Sequence, residues 1–261
     1  MCGISGIISK VNAQISEHEL HRMNDLISHR GPDGEGYYYG ANFAFGHRRL
    51  SIIDLSNAGH QPMHYDNLVI TYNGEIYNYL EIRAELNELG YQFNSDSDTE
   101  VILAAYKEWG EDCVLRFNGM WSFAIFDQTK NQIFCSRDRF GIKPFYFLEL
   151  EDKFVFGSEI KQLLPFLEKT VVNERILLEY LITGLEECDD ESFFSSIKKL
   201  MGSHNLVYDL NNHSKKVYKY YNISVKLEFK GLSEKDSSEA YLLALKKATM
   251  LRMRSDVKVG F

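Results

Sequence analysis

The sequence predicts an α+β fold in which antiparallel strands dominate, and two observations carry that expectation. Stretches 120–127, 132–137, 145–149 and 153–157 are rich in β-branched and aromatic residues and are joined by tight turns, the pattern of an antiparallel meander. Helical periodicities, by contrast, come as isolated segments between strand-like runs. The 261 residues are 44% hydrophobic and 25% charged, enough for a sizeable core. No apolar run is long enough to span a bilayer, so no membrane partner is expected.

Taken in order, residues 3–9 read as a short strand of small and β-branched residues. Ser16-Glu17-His18-Glu19 has the form of a capping box, and Leu20, Met23 and Ile27 follow at helical spacing up to the turn His29-Arg30-Gly31-Pro32-Asp33-Gly34. Strands are expected at 37–39, 43–46, 50–53 and 68–72, the last running into a turn at Asn73-Gly74-Glu75. Ile82, Leu86 and Leu89 give a helix ending at Gly90, and Ser97-Asp98-Thr99-Glu100 opens another that stops near Gly110. After the meander, helices are expected at 159–164 and 174–182, a hairpin at 204–210 and 216–221, and a long helix at 237–254. The change in composition places a domain boundary between about 210 and 225.

The formal charge of −8, from 29 basic and 37 acidic residues, argues against a nucleic-acid partner. The N-terminus lacks a basic stretch followed by an apolar one, so no signal peptide is expected and the cytoplasm is the expected compartment. Cys2, Cys113, Cys135 and Cys188 are widely spaced and suit a reducing compartment: Cys113 and Cys135 lie in apolar segments, Cys188 in an acidic loop. His18 and His21 share a helix face without an acidic or sulfur partner at ligand spacing, so they read as a solvated pair and no metal is expected.

Cys2 differs from the other cysteines by its position. Trimming of Met1, which a small second residue permits, would give Cys2 a free α-amine with a pKa near 8, a base on the same residue as the nucleophile. A nucleophile needs groups to hold a substrate and to stabilise an oxyanion. Arg49 can clamp a carboxylate, Asn73 and Gly74 can supply an amide and a backbone N–H, and Glu75 and Asp98 can accept from an ammonium. Taken singly, each has an equally good structural reading: a salt bridge for Arg49, a turn for Asn73-Gly74, a helix cap for Asp98.

Over Cys2 to about Leu210 the chain resembles the glutamine-hydrolysing domain of class II glutamine amidotransferases, in particular the asparagine synthetase branch. The resemblance rests on Met1-Cys2-Gly3-Ile4, His29-Arg30-Gly31-Pro32-Asp33, Gly46-His47-Arg48-Arg49-Leu50-Ser51-Ile52, Gly59-His60-Gln61-Pro62-Met63 and Tyr72-Asn73-Gly74-Glu75-Ile76-Tyr77-Asn78. It continues through Ser97-Asp98-Thr99-Glu100, Phe117-Asn118-Gly119-Met120, Arg137-Asp138-Arg139-Phe140-Gly141-Ile142-Lys143-Pro144 and Gly157-Ser158-Glu159-Ile160-Lys161. It implies a four-layer αββα sandwich of two antiparallel sheets, the N-terminal nucleophile hydrolase fold, followed by the start of an α-helical synthetase domain. It further implies that Cys2 is the nucleophile and that Asn73 and Gly74 form the oxyanion hole. Arg49, Leu50, Ile52, Asn73, Gly74, Glu75 and Asp98 would bind L-glutamine, and hydrolysis would need no cofactor.

By the same resemblance, residues 2–210 form the glutaminase domain and 211–261 a linker and the first helix of a synthetase domain. That domain, in the same longer chain or in a separate polypeptide, would use ATP and Mg2+ through a Ser-Gly-Gly-x-Asp-Ser loop. The present chain contains no Gly-Gly pair, although residues 251–261 resemble the segment that leads into that loop, so a truncated synthetase is expected. Met201-Gly202-Ser203-His204 stands where the family has Pro-Gly-His. Two other readings remain: a glutaminase serving a synthetase that aminates a sugar or another carboxylate, and a non-catalytic regulatory module. A homodimer is one assembly the resemblance allows.

Overall fold

Seven residues behind Cys2 form β1 (Gly3–Ser9), in which every side chain is buried. Both faces of this strand are covered, which is why it lacks the alternation of a half-exposed strand. Ile4 and Ile8 point between two sheets, whereas Ile7 packs outward beneath α1 (Glu17–Asp25) with Leu20 and Met23. Gly6 is required by a close approach, since a Cβ there would lie 2.0 Å from the Phe156 ring.

The computed structural model describes residues 1–11, 13–186, 189–224 and 230–258. Among them β1 lies inside a six-stranded sheet ordered β10 (Ile197–Lys199), β8 (Tyr146–Glu149), β9 (Lys153–Gly157), β1, β3 (Phe43–Arg49) and β2 (Gly34–Tyr39). A second six-stranded sheet is ordered β12 (Lys215–Lys219), β11 (His204–Asp209), β7 (Gln132–Arg137), β6 (Gly119–Asp127), β5 (Leu68–Ile76) and β4 (Met63–Tyr65). The strand pairings in both sheets are antiparallel.

Three apolar clusters mark the interfaces between four layers. Phe43, Phe45, Phe126, Phe154 and Phe156 fill the space between the sheets. The outer face of the first sheet packs on α1, and that of the second on α2 (Tyr79–Glu88), α3 (Asp98–Trp109) and α4 (Cys113–Arg116). This is the expected αββα sandwich. Beyond it, α5 (Glu174–Thr183) buries only Ile176, and α6 (Glu234–Arg252) buries no residue.

Several local expectations are corrected. Residues 50–53 are not a strand. Both neighbours of β3 begin at its end, with Gly3 opposite Arg48 and Gly34 opposite Arg49, so nothing remains for Leu50 to pair with. Nor is Asn73-Gly74-Glu75 a turn: β5 runs straight through it, pairing Asn73 with Ser122, Gly74 with Trp121 and Glu75 with Met120. The glycine serves the closeness of β6, because a Cβ at Gly74 would lie 2.2 Å from the Met120 carbonyl oxygen.

Residues 159–164 form two 3-10 turns, Ile160–Gln162 and Leu164–Phe166, rather than one helix. Pro165 has no N–H to continue a helix, and the Gln162 amide is drawn back to Ile4 O (3.1 Å) and Ser5 Oγ (2.8 Å). Ser16 occupies the N-cap of α1 without a side-chain cap bond, and Glu19 pairs instead with Lys153 at 2.5 Å. His18 and His21 are both exposed, as expected of a solvated pair, and His21 also stacks on Tyr37 with centroids 4.0 Å apart. Within the 210–225 window expected for a domain boundary, the β11–β12 hairpin runs to Lys219, and its second strand completes the second sheet. Cys188 and residues 259–261 of the final segment lie outside the described residues. Among the described residues no helix is long and apolar enough to cross a membrane, and no three His, Cys, Asp or Glu side chains group as a metal site.

Candidate active site

Where the ends of β1, β3 and β5 meet, a cavity of about 140 Å3 opens between the sheets' rims. All eight residues singled out by the sequence line it: Cys2, Arg49, Leu50, Ile52, Asn73, Gly74, Glu75 and Asp98. Their segments are far apart in the chain, and the β1–β3 pairing together with β5 beside β6 brings them to one place.

Cys2 sits just before β1, held from two sides. Its carbonyl accepts from Arg30 Nε at 2.8 Å, and its Sγ accepts the Leu50 N–H at 3.3 Å while the thiol donates to Leu50 O at 3.5 Å. The failure of residues 50–53 to form a strand is what frees those Leu50 groups. Burial pushes the Cys2 thiol pKa up, while the Leu50 N–H, the terminal amine and Lys143 act in the opposite direction. Burial likewise holds the terminal amine below its ordinary value. Met1 itself is 59% exposed and is therefore open to removal.

Arg49 ends β3 and is aimed by loop carbonyls: Nη1 donates to Ser56 O at 2.9 Å and Nη2 to Asp54 O. Gly59 makes room for it, since a Cβ there would lie 2.3 Å from Nη2. A guanidinium has five N–H donors, so others remain for a ligand in the cavity.

Asp98 opens α3, but Ser97 performs the capping, its Oγ accepting from Thr99 N at 3.1 Å. The Asp98 carboxylate instead accepts from Tyr72 OH at 2.8 Å and Ile76 N at 2.9 Å. Burial raises its pKa to about 6 against these donors. Glu75 is raised too, by burial first and by the neighbouring Asp98 second, with Lys143 opposing. Two carboxylates that resist ionisation together create a place for a cation.

Asn73 is 1% exposed, and among the described residues neither its Oδ1 nor its Nδ2 has a hydrogen-bond partner. A buried unpartnered amide costs roughly 1–3 kcal/mol, so this group is held ready for something that enters the cavity. Beneath it, His47 donates from Nε2 to Tyr72 O at 3.0 Å, and burial lowers its pKa to about 3, which keeps the ring neutral.

Two cations escaped the residue-by-residue reading, Lys143 on the cavity wall and Arg30 behind Cys2. Lys143 lines the cavity, 5% exposed, with its N–H on Asp138 Oδ2 at 2.9 Å and its carbonyl on Arg137 Nε at 2.7 Å. Burial lowers its pKa, and Glu75 and Cys2 work against that shift. Arg30 spans Cys2 O and Glu159, whose carboxyl is held down at about 2: burial opposes ionisation, but donors from Arg30, Lys161 and His29 outweigh it. Both cations lie in stretches that carry the family resemblance, which was the available signal.

The chain is similar to known proteins in family and in fold. Residues 1–221 match the glutamine amidotransferase domain family. A Methanocaldococcus jannaschii protein provisionally named asparagine synthetase (glutamine-hydrolyzing) 2 is 39% identical over 284 residues, covering 100% of this chain and 54% of that protein. Asparagine synthetase (glutamine-hydrolyzing) 3 of Bacillus subtilis is 37% identical over 229 residues, covering 85% of this chain and 37% of that protein. The chain thus spans about half or less of the length of these curated relatives. Among solved structures, glutamine phosphoribosylpyrophosphate amidotransferase from B. subtilis superposes with a TM-score of 0.63 at 17% identity, over 85% of this chain and 50% of that one. At that identity the likeness shows the shared fold alone, the αββα sandwich of two antiparallel sheets. The family match runs through β12 and so takes in both sheets and the whole cavity wall they build, and on that ground the chain belongs to the glutamine amidotransferase domain family.

Proposed function

We propose that Cys2 hydrolyses L-glutamine in this cavity, and that the ammonia released serves asparagine synthesis in a longer protein of the asparagine synthetase kind. The observation that carries the reading is the buried, unpartnered Asn73 amide on the wall shared with the Cys2 sulfur. A cavity of about 140 Å3 suits a free amino acid better than a drug-sized ligand, whose pockets run to roughly 300–1,000 Å3.

In this reading Arg49 clamps the substrate α-carboxylate while Glu75 and Asp98 accept from the α-ammonium. The side-chain carbonyl then faces Sγ. Once Met1 is removed, the Cys2 α-amine takes the thiol proton and the thiolate adds to the amide carbon. Negative charge develops on the carbonyl oxygen, where the Asn73 Nδ2–H2 and the Gly74 N–H receive it. Collapse expels ammonia, protonated by the same amine, and leaves a thioester. Water then attacks the thioester, releasing glutamate and restoring the thiol.

Activation of aspartate with ATP and Mg2+ belongs to a synthetase domain outside this chain, in agreement with the lack of a Gly-Gly pair for the pyrophosphate loop. Alone, the chain is expected to form glutamate but not asparagine. The test is intact mass to establish removal of Met1, followed by glutamate release with and without a glutamine-analogue alkylator. A processed chain that yields no glutamate would overturn the reading.

A further inference from the structure

The segment after α6 reaches back to the cavity. Asp256 Oδ2 accepts the Asp54 N–H at 2.7 Å, and Asp256 N donates to Ile52 O at 2.9 Å, so one residue grips both ends of a three-residue bend. Asp54 is the residue whose carbonyl accepts from Arg49 Nη2, and it holds a left-handed conformation, φ 52°, that few non-glycine residues adopt. Its own carboxylate accepts Ser56 N (3.0 Å) through Oδ1 and Asp96 N (3.0 Å) through Oδ2. Two residues before Asp256, Arg254 is anchored to the body by a bidentate pair with Glu81, 2.5 Å on each arm, and by Tyr77 O at 2.6 Å.

We propose that Asp256 is a positioning residue for substrate binding: it fixes the 52–54 bend so that the Asp54 carbonyl aims the Arg49 guanidinium into the cavity. The inference rests on the glutamine reading above and adds to it a control of affinity by residues some 200 positions downstream of the clamp. Asp256 touches neither the sulfur nor the oxyanion donors. Its loss therefore weakens substrate binding and leaves the chemical step alone.

The test uses the full 261-residue chain with Met1 removed. Asp256→Ala is expected to raise the KM for glutamine about fivefold, the order expected for one partly exposed charge-assisted bond, with kcat within twofold of the unchanged protein. Asp256→Asn keeps an oxygen acceptor for the Asp54 N–H and is expected to restore KM. Amide hydrogen exchange at Asp54 reads the same bond without turnover and is expected to quicken in the alanine variant only. An unchanged KM, a fall in kcat alone, or unchanged exchange at Asp54 would each overturn the assignment. An unmodified chain that fails to hydrolyse glutamine would overturn the glutamine reading instead, and the exchange measurement would then decide whether Asp256 holds the bend.

Discussion

At the scale of single residues, the buried Asn73 amide sets the sharpest expectation. In the reaction proposed above, Asn73→Ala removes one oxyanion donor, a loss of about 3 kcal/mol of transition-state stabilisation, so kcat should fall a hundredfold or more while KM changes far less; steady-state kinetics checks the split. Asp98 sets a pH limit. Its carboxyl, raised to about 6, is ionised at pH 7.5 and about nine-tenths protonated at pH 5, where it no longer attracts an ammonium. The KM for glutamine should therefore rise roughly tenfold between pH 7.5 and pH 5, and the rise should be absent in Asp98→Asn, whose KM is high throughout. Lys143 acts on the sulfur: its charge favours the Cys2 thiolate, so Lys143→Met should slow iodoacetamide alkylation of Cys2 at fixed pH and move the alkylation pKa upward.

Elements explain both what was legible in the sequence and what was not. The strands between 119 and 157 were readable because their apolar runs and turns are local signals, but they do not form the one meander expected: β6–β7 and β8–β9 are hairpins of different sheets. Helix α3 was readable from its polar opening, although Ser97 and not Asp98 caps it. The Asn73-Gly74 pair misled because its glycine answers to a distant neighbour: the Met120 carbonyl on β6, 46 positions from Gly74, and not the bend of a hairpin. Gly74→Ala should accordingly destabilise the sheet by about 3 kcal/mol, read as a drop of several degrees in Tm, because of a steric clash; at Gly90 a Cβ meets nothing, and only the strain of its positive φ of 94° would destabilise an alanine. Leu50 and its neighbours misled for the opposite reason, being strand-like residues left without a partner strand. Lys143 was invisible as a site residue because a lysine in a loop reads as solvated, and only the Arg137 and Asp138 contacts turn it inward.

For the molecule as a whole, the cavity is a property of the sandwich: no single segment contains it, so residue types alone left each candidate with a mundane reading until the family pattern joined them. The sandwich is complete by β12, whereas α6 buries nothing. A chain ending at residue 221 should therefore melt within a few degrees of the full chain, yet bind glutamine more weakly, since it lacks Asp256; calorimetry and KM together check both halves.

The pairing of β1 also has a consequence in time. Its partner β9 lies about 150 positions downstream, Ser5 opposite Gly157, so the strand behind Cys2 cannot be enclosed until that much of the chain has been made. At about 5–20 residues per second of ribosomal synthesis, the nascent N-terminus stays uncovered for roughly 8–30 s. For that interval β1 has β3 on one side only, and its other edge waits for a partner still to be synthesised.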